Sequence, residues 1–241
     1  MQGIIINLIY RLFTFKALVF VGIMVVFNVV LNGYYMNVSE ARINVLSDAT
    51  LHAHTYFYES LFFLKITMML MIMVFSYLLF SDKRLDIVMI MRRKREVIYC
   101  FKNIIIVVIT AIIISFCMVN MLFIYSMTDY YDGLDISILV YAQWGVIIIY
   151  YTTLNTLVMT YRPSLYAGIC VLLAFLMSEI LLGFNKMPTT LNGLLQAYTM
   201  FFPSIQPYQG HLVFSVYWVF VMVLIVVYTS IGLMIQRHIE Y

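Results

Sequence analysis

Six apolar runs divide the chain, at 17–35, 57–80, 104–125, 138–161, 165–184 and 212–235. Each is close to or longer than the roughly 20 residues that cross about 30 Å of hydrocarbon as a helix. Ahead of the first run, residues 1–16 place Asn7, Arg11 and Thr14 on one side. Ile5, Leu8, Ile9, Leu12 and Phe15 fall around the other at helical spacing. That pattern predicts a helix lying in the membrane interface, with an N-terminal extension of the first span as the alternative. The expected fold is therefore all-α and polytopic. It has an interfacial helix over 1–16 and a six-span transmembrane domain over 17–241, too small to add a second folded domain.

The connections differ in character. The second and third runs are joined by 81–103, SDKRLDIVMIMRRKREVIYCFKN, which carries ten charged residues in a chain that is 10% charged. Seven of the fourteen Lys and Arg sit there: Lys83, Arg84, Arg92, Arg93, Lys94, Arg95 and Lys102. Its apolar middle, Leu85, Asp86, Ile87, Val88, Met89, Ile90 and Met91, followed by a basic tail, predicts a short helix at the membrane surface. A simple tether or an anchor for anionic lipid would account for the charges, but not for an apolar run that needs something to pack on. The connection between the fifth and sixth runs holds three of the four prolines, yet LNGLLQAYTMFF between Pro188 and Pro203 is substantially apolar. One short helix or a re-entrant pair dipping back into the outer face is expected there, covered by protein or water. No proline interrupts a run and no repeat relates the first three to the last three, which weighs against a carrier built on inverted repeats.

Composition agrees with a membrane protein. Hydrophobic residues make up 64% of the chain and the mean hydropathy is +0.99, well beyond a soluble domain in which about half the residues are apolar. Basic residues set the orientation. Arg11, Lys16, the seven of the island, Arg162 and Arg237 fall on one side, and Arg42 and Lys186 on the other. Both termini and the island are thus expected in the cytoplasm of a multi-pass cell-membrane protein. The N-terminus lacks the features of a cleaved signal peptide, so targeting is expected to reside in the first span. Cys100, Cys117 and Cys170 show no metal or redox spacing and read as thiols within or beside spans.

Two ionisable residues lie well inside runs, where a charge costs at least about 2.5 kcal/mol near the bilayer centre. Lys65 is eight residues from the outer end of the second run, about 12 Å deep, and Glu179 is five from the outer end of the fifth, about 7–8 Å deep. Opposite signs at similar depth point to a shared polar cavity or a direct pair, within one subunit or across a dimer. Snorkelling of each to the outer headgroups is the bland alternative. His52 and His54 have no third ligand nearby and read as loop residues. Asn37-Val38-Ser39 matches a glycosylation acceptor that is common by chance. The aromatic residues read as span packing and interfacial belt, and the eighteen methionines as adaptable apolar surface. The chain has no G-x-x-x-x-G-K-[ST], H-E-x-x-H or G-x-S-x-G motif. Neither catalysis, a resident cofactor, a metal nor nucleic-acid binding is expected.

From Arg84 to Lys102 the chain resembles the link between spans two and three of ABC-2-type transporter permeases. In that family an arginine near the end of span two precedes a short coupling helix, then a basic residue with a glutamate after it, then a lysine at the mouth of span three. Arg84, Leu85–Met91, Arg95-Glu96 and Lys102 fill those places here. The six-run order, the N-terminal helix, the tight turn at Pro163 and the partly apolar last outer connection agree with it. The chain departs from the pattern where Arg92, Arg93 and Lys94 replace small or proline residues, where Phe101 replaces a glycine, and in lacking a glycine within the coupling helix.

The resemblance implies a permease that pairs with a second permease copy in a homodimer and binds two ABC ATPase subunits. ATP and Mg would be held in those partners. Arg84 to Glu96 and Lys102 would couple them to transport, and Lys65 and Glu179 would face the translocation path. Compact relatives of this Ile- and Tyr-rich composition export amphipathic peptides of the phenol-soluble-modulin type, or give immunity to lantibiotic-type peptides. An ion-coupled carrier and a membrane scaffold or sensor are the competing classes. The first needs more intramembrane acids than Glu179, and the second a larger domain outside the spans.

Overall fold

The computed structural model describes residues 2–43, 49–81, 95–126, 138–183, 201–203 and 216–238. Among them there are seven helices and no strand: α1 Gln2–Leu12, α2 Phe15–Ile43, α3 Ala49–Phe80, α4 Arg95–Ser126, α5 Ile138–Tyr161, α6 Leu165–Gly183 and α7 Val216–His238. The described part of each of the six apolar runs lies on one of α2 to α7. Helix ends and run ends differ, because loss of hydropathy does not stop a helix. Without Pro to break them, α2 continues past position 35 to Ile43 and α3 starts eight residues before 57. Likewise α4 begins at Arg95, nine residues before the run it carries. Residues 95–103 of the predicted coupling segment are therefore the first turns of α4, while Arg84, Leu85, Asp86, Ile87, Val88, Met89, Ile90, Met91, Arg92, Arg93 and Lys94 lie outside the described residues.

Two breaks have local causes. Between α1 and α2 the axis bends by 60° at Phe13–Thr14, where Thr14 Oγ1 accepts from the Ala17 amide (3.4 Å) and caps the start of α2. Between α5 and α6, Pro163 disfavours helix at Arg162. Ser164 then caps α6, its Oγ accepting from the Ala167 amide at 3.3 Å. The tight turn predicted from TYRPSL takes this form.

The helices alternate in direction. One end of the bundle gathers α1, the start of α2, the end of α3, the start of α4, the α5–α6 turn and the end of α7. By their positions in these elements Arg11, Lys16, Arg95, Lys102, Arg162 and Arg237 all belong to this basic end. The first described helix and the end of the last both belong to it.

Packing places α3 and α5 at the centre. α3 contacts α1, α2, α4, α5 and α6, and α5 contacts α3, α4, α6 and α7. One core cluster joins Leu64, Met68, Met69 and Ile72 of α3 with Ile148, Tyr150 and Tyr151 of α5 and Phe175 of α6. A second, at the basic end, joins Leu8 and Leu12 of α1 with Phe75, Leu79 and Phe80 of α3, Ile98 and Tyr99 of α4 and Met159 of α5.

The peripheral helices turn apolar stripes outward. Ile104, Val108, Ile112, Phe116, Val119 and Phe123 of α4 are exposed, as are Val219, Met222, Val223, Val226, Val227, Ile231 and Met234 of α7. Meanwhile Ser76, Thr110, Thr152, Asn155 and Thr156 are buried. Apolar surface outside and polar groups inside is the arrangement of a protein solvated by lipid. Segments Phe62–Phe80 of α3, Arg95–Phe123 of α4 and Trp218–His238 of α7 are long and apolar enough to cross a membrane, and the bent pair α1–α2 makes a fourth if taken as one span. α6 offers a shorter apolar stretch, Leu165–Ile180. α5 is 24 residues long but carries Thr152, Thr153, Asn155, Thr156 and Thr160 along its second half. The chain is a membrane-embedded protein whose described residues build helices and no strand.

Candidate functional site

Away from the basic end, α3 and α6 pack together and bring Lys65 and Glu179 into contact. Lys65 Nζ donates to Glu179 Oε2 at 2.9 Å, with the two side chains 9% and 8% exposed. The pair forms within one chain, 114 residues apart in sequence. Burial at this level makes the pair hard to break one partner at a time. Removing either leaves an uncompensated charge, which costs far more than the pair gains over an apolar replacement.

Beside it lies residue 201–203, the only described part of the connection between α6 and α7. Three hydroxyls from two helices donate to its three successive carbonyls. Tyr150 of α5 bonds the Phe201 carbonyl, Ser178 of α6 bonds that of Phe202 at 2.6 Å, and Tyr151 bonds that of Pro203 at 2.8 Å. Phe202 packs on the larger core cluster and Phe201 meets Phe220 of α7 edge-on, 5.8 Å between ring centres. Tyr150 is twelve residues from the start of α5, about 18 Å along the helix. Pro203 is buried and Phe202 half-buried there, while Phe201 is exposed; the rest of LNGLLQAYTMFF lies outside the described residues. Phe201 is helical and the chain leaves the helix at Phe202 and Pro203; carbonyls at a helix end lack intrahelical partners, and the three hydroxyls supply them. Ser178 is the neighbour of Glu179, so this seat and the ion pair share one stretch of α6.

A second constellation occupies the basic end. Tyr99, 1% exposed, stacks edge-on against Phe80, ring centres 6.0 Å apart. Lys102 Nζ lies 4.5 Å above the same Phe80 ring and is itself buried, a cation–π contact of about 2 kcal/mol once desolvated. The Tyr99 hydroxyl is 3.5 Å from Thr156 Oγ1. That hydroxyl already donates to the Thr153 carbonyl at 3.2 Å, so Tyr99 is the donor.

From α7, Gly232 gives Tyr99 its place: a Cβ there would stand 2.2 Å from the tyrosine oxygen. Gln236 Nε2 reaches Thr160 Oγ1 at 3.5 Å, and the Arg237 guanidinium binds the Glu96 carboxylate. The first two turns of α4 are therefore tied to α3, α5 and α7 at once.

Of the residues singled out in the sequence, Lys65 and Glu179 come together, Glu96 pairs with Arg237, and Lys102 is buried at the basic end. Arg95 lies at the start of α4. Tyr99, Gly232, the three hydroxyls and the polar face of α5 carry no motif. Their only trace in the sequence is that Thr and Asn recur at helical spacing through a run that must be buried. No protein-family description, curated protein or solved structure matches the chain.

Proposed function

We propose that the chain is the six-span permease subunit of an ABC exporter of the ABC-2 type, placed in the cell membrane with both termini in the cytoplasm. It acts as a homodimer with two ATPase subunits and moves amphipathic peptides outward. The observation that carries this reading is the anchoring of α4 directly after the basic island. A push on 84–94 by a docked ATPase reaches α4 at Arg95, and from there Glu96–Arg237 and Tyr99 against Gly232 pass it to α7. The Tyr99–Thr156 contact passes it to α5, whose Tyr150 and Tyr151 hold the 201–203 segment on the far side. α1, bent away from α2 and packed on α3 and α4, is the interfacial helix in this reading. A chain without a nucleotide-binding motif, yet with contacts that lead from the helix after the basic island to the 201–203 segment, suits a transport step energised from outside the chain.

The ion-coupled alternative draws less support, because Glu179 is held in an ion pair. Co-purification tests the proposal. An ATPase subunit is expected to accompany the detergent-solubilised protein from its native membrane, and reversing Arg92, Arg93, Lys94 and Arg95 to glutamate is expected to release it. Recovery of no ATPase, or unchanged peptide export after the reversal, refutes the reading.

A further inference from the structure

Aromatic rings crowd the outside of the basic end. Among the described residues, the four most exposed large apolar side chains are Tyr161 (84%), Phe15 (81%), Tyr166 (80%) and Tyr10 (73%), and no other exceeds 64%. All four lie on α1 or at the ends of α2, α5 and α6 that meet the basic end. Three of them are followed directly by a base: Tyr10-Arg11, Phe15-Lys16 and Tyr161-Arg162.

Two of these rings each end an outward apolar stripe. On α2, Phe15, Leu18, Val19, Val26 and Val29 fall within about 100° of one another, and all are exposed. On α6, Tyr166, Cys170, Leu173, Met177 and Ile180 fall within about 80° and are exposed as well. α1 divides into three sectors. Leu8 and Leu12 are buried against the bundle, Ile6, Ile9, Tyr10 and Phe13 are exposed, and Asn7 and Arg11 occupy the remaining side. A helix so divided borders protein, lipid and water at once. An aromatic ring where a lipid-facing stripe ends marks the headgroup level, and a base beside it stands at the height of the lipid phosphates. Charge then selects among headgroups. The only carboxylate described at this end is Glu96, already bound by Arg237. Lys16 and Arg162 are exposed and meet no carboxylate among the described residues.

We propose that the basic end carries interfacial seats for an anionic phospholipid. Lys16 and Arg162 hold the charged headgroup, Phe15 and Tyr166 lie beside the glycerol, and acyl chains run along the stripes of α2 and α6. A zwitterionic headgroup brings its own cation and gains less from this surplus of bases. A soluble partner fits less well, because each ring continues into an apolar stripe of a membrane-embedded bundle. The inference needs only a membrane-embedded chain and does not rest on the permease reading.

The test uses the purified full chain in detergent, offered phosphatidylglycerol and phosphatidylcholine of identical acyl chains in equal amounts, with retained lipid counted by native mass spectrometry. The natural protein should retain phosphatidylglycerol over phosphatidylcholine by about fivefold, the factor one base contributes at an anionic surface. The double variant Lys16→Gln, Arg162→Gln should retain the two lipids equally and melt at the temperature of the natural protein. The double variant Arg42→Gln, Lys186→Gln removes the same charge at positions the sequence assigns to the opposite side, and should keep the preference. Equal retention by the natural protein, an unaltered preference after the Lys16 and Arg162 changes, or loss of preference in the Arg42 and Lys186 control overturns the seats. A second measurement separates lipid from a soluble partner and does not depend on removing either base. With Cys100, Cys117 and Cys170 replaced by alanine, a nitroxide is attached at Phe15→Cys or at Tyr166→Cys in vesicles of the same two lipids. More frequent collisions with oxygen than with a water-soluble nickel chelate are expected and place the position in lipid. The reverse places it in water, overturns the lipid seats and assigns the surface to a soluble partner.

Discussion

Lys65 and Glu179 were conspicuous in the sequence because charge inside an apolar run has few innocent explanations. Their depths, read from residue counts alone, placed them at similar depth in the outer half. The hydropathy pattern could not say whether they met within one chain, since that depends on α3 and α6 being neighbours. Their contact makes a stability prediction. Lys65→Met alone should destabilise by about 3–5 kcal/mol, the cost of stranding a buried carboxylate, and Glu179→Leu alone by a similar amount. The double variant should recover most of the loss. Thermal unfolding of the purified protein in detergent measures this, and a double variant no better than the singles would show that the pair contributes nothing. Tyr99 and Gly232 are the opposite case: one tyrosine among 20 and one glycine among 10 carry no signal until the helices are packed. Gly232→Val should displace the Tyr99 ring, because the added carbons overlap it. The companion change Tyr99→Leu, which removes the hydroxyl in the way, should restore part of the melting temperature.

At the scale of elements, each apolar run coincides with a long helix among the described residues, and three of those helices, or four with the bent pair, are long and apolar enough to cross a membrane. The helix ends were less legible. Nothing in the residues between positions 35 and 43 obliges a helix to stop, and α4 starts among charges that the hydropathy pattern assigns to a loop. The seating of 201–203 was readable only as an apolar stretch between prolines. The partners that hold it, Tyr150, Tyr151 and Ser178, lie in spans where they resemble belt aromatics and filler. Each neutral hydrogen bond contributes about 1 kcal/mol, so the seat is expected to open in proportion to the bonds removed. The triple change Tyr150→Phe, Tyr151→Phe, Ser178→Ala should lower the local opening free energy by about 3 kcal/mol. Amide hydrogen exchange of Phe201 and Phe202 should accelerate by about a hundredfold, with α3 exchange unaltered. Uniform acceleration across the bundle would mean that these hydroxyls support the whole fold and not the seat.

For the whole molecule, the question is whether movement at the basic end reaches the opposite side. The antiparallel order puts the first turns of α4 against the last turns of α7, and Glu96 with Arg237 closes that contact at an exposed position. An exposed pair of this kind adds little stability, so its value would lie in registering one helix end against the other. Replacing both residues by cysteine should test this directly, since oxidation fixes the separation while reduction frees it. If the chain is the permease proposed above, the oxidised Glu96→Cys, Arg237→Cys protein should still support ATPase binding and ATP hydrolysis by that partner, but should move peptide at least tenfold more slowly than the reduced form. Dithiothreitol should restore the rate, with the reduced double variant within a factor of about three of the natural protein. If export proceeds equally with the bond closed, α4 and α7 travel as one body and the drive must pass through α5 by way of Tyr99 and Thr156. Loss of ATP hydrolysis together with export would place the cross-link's effect on the docking of the ATPase itself. The reversible loss of export alone is the outcome that a lever running from the basic island to the 201–203 seat requires.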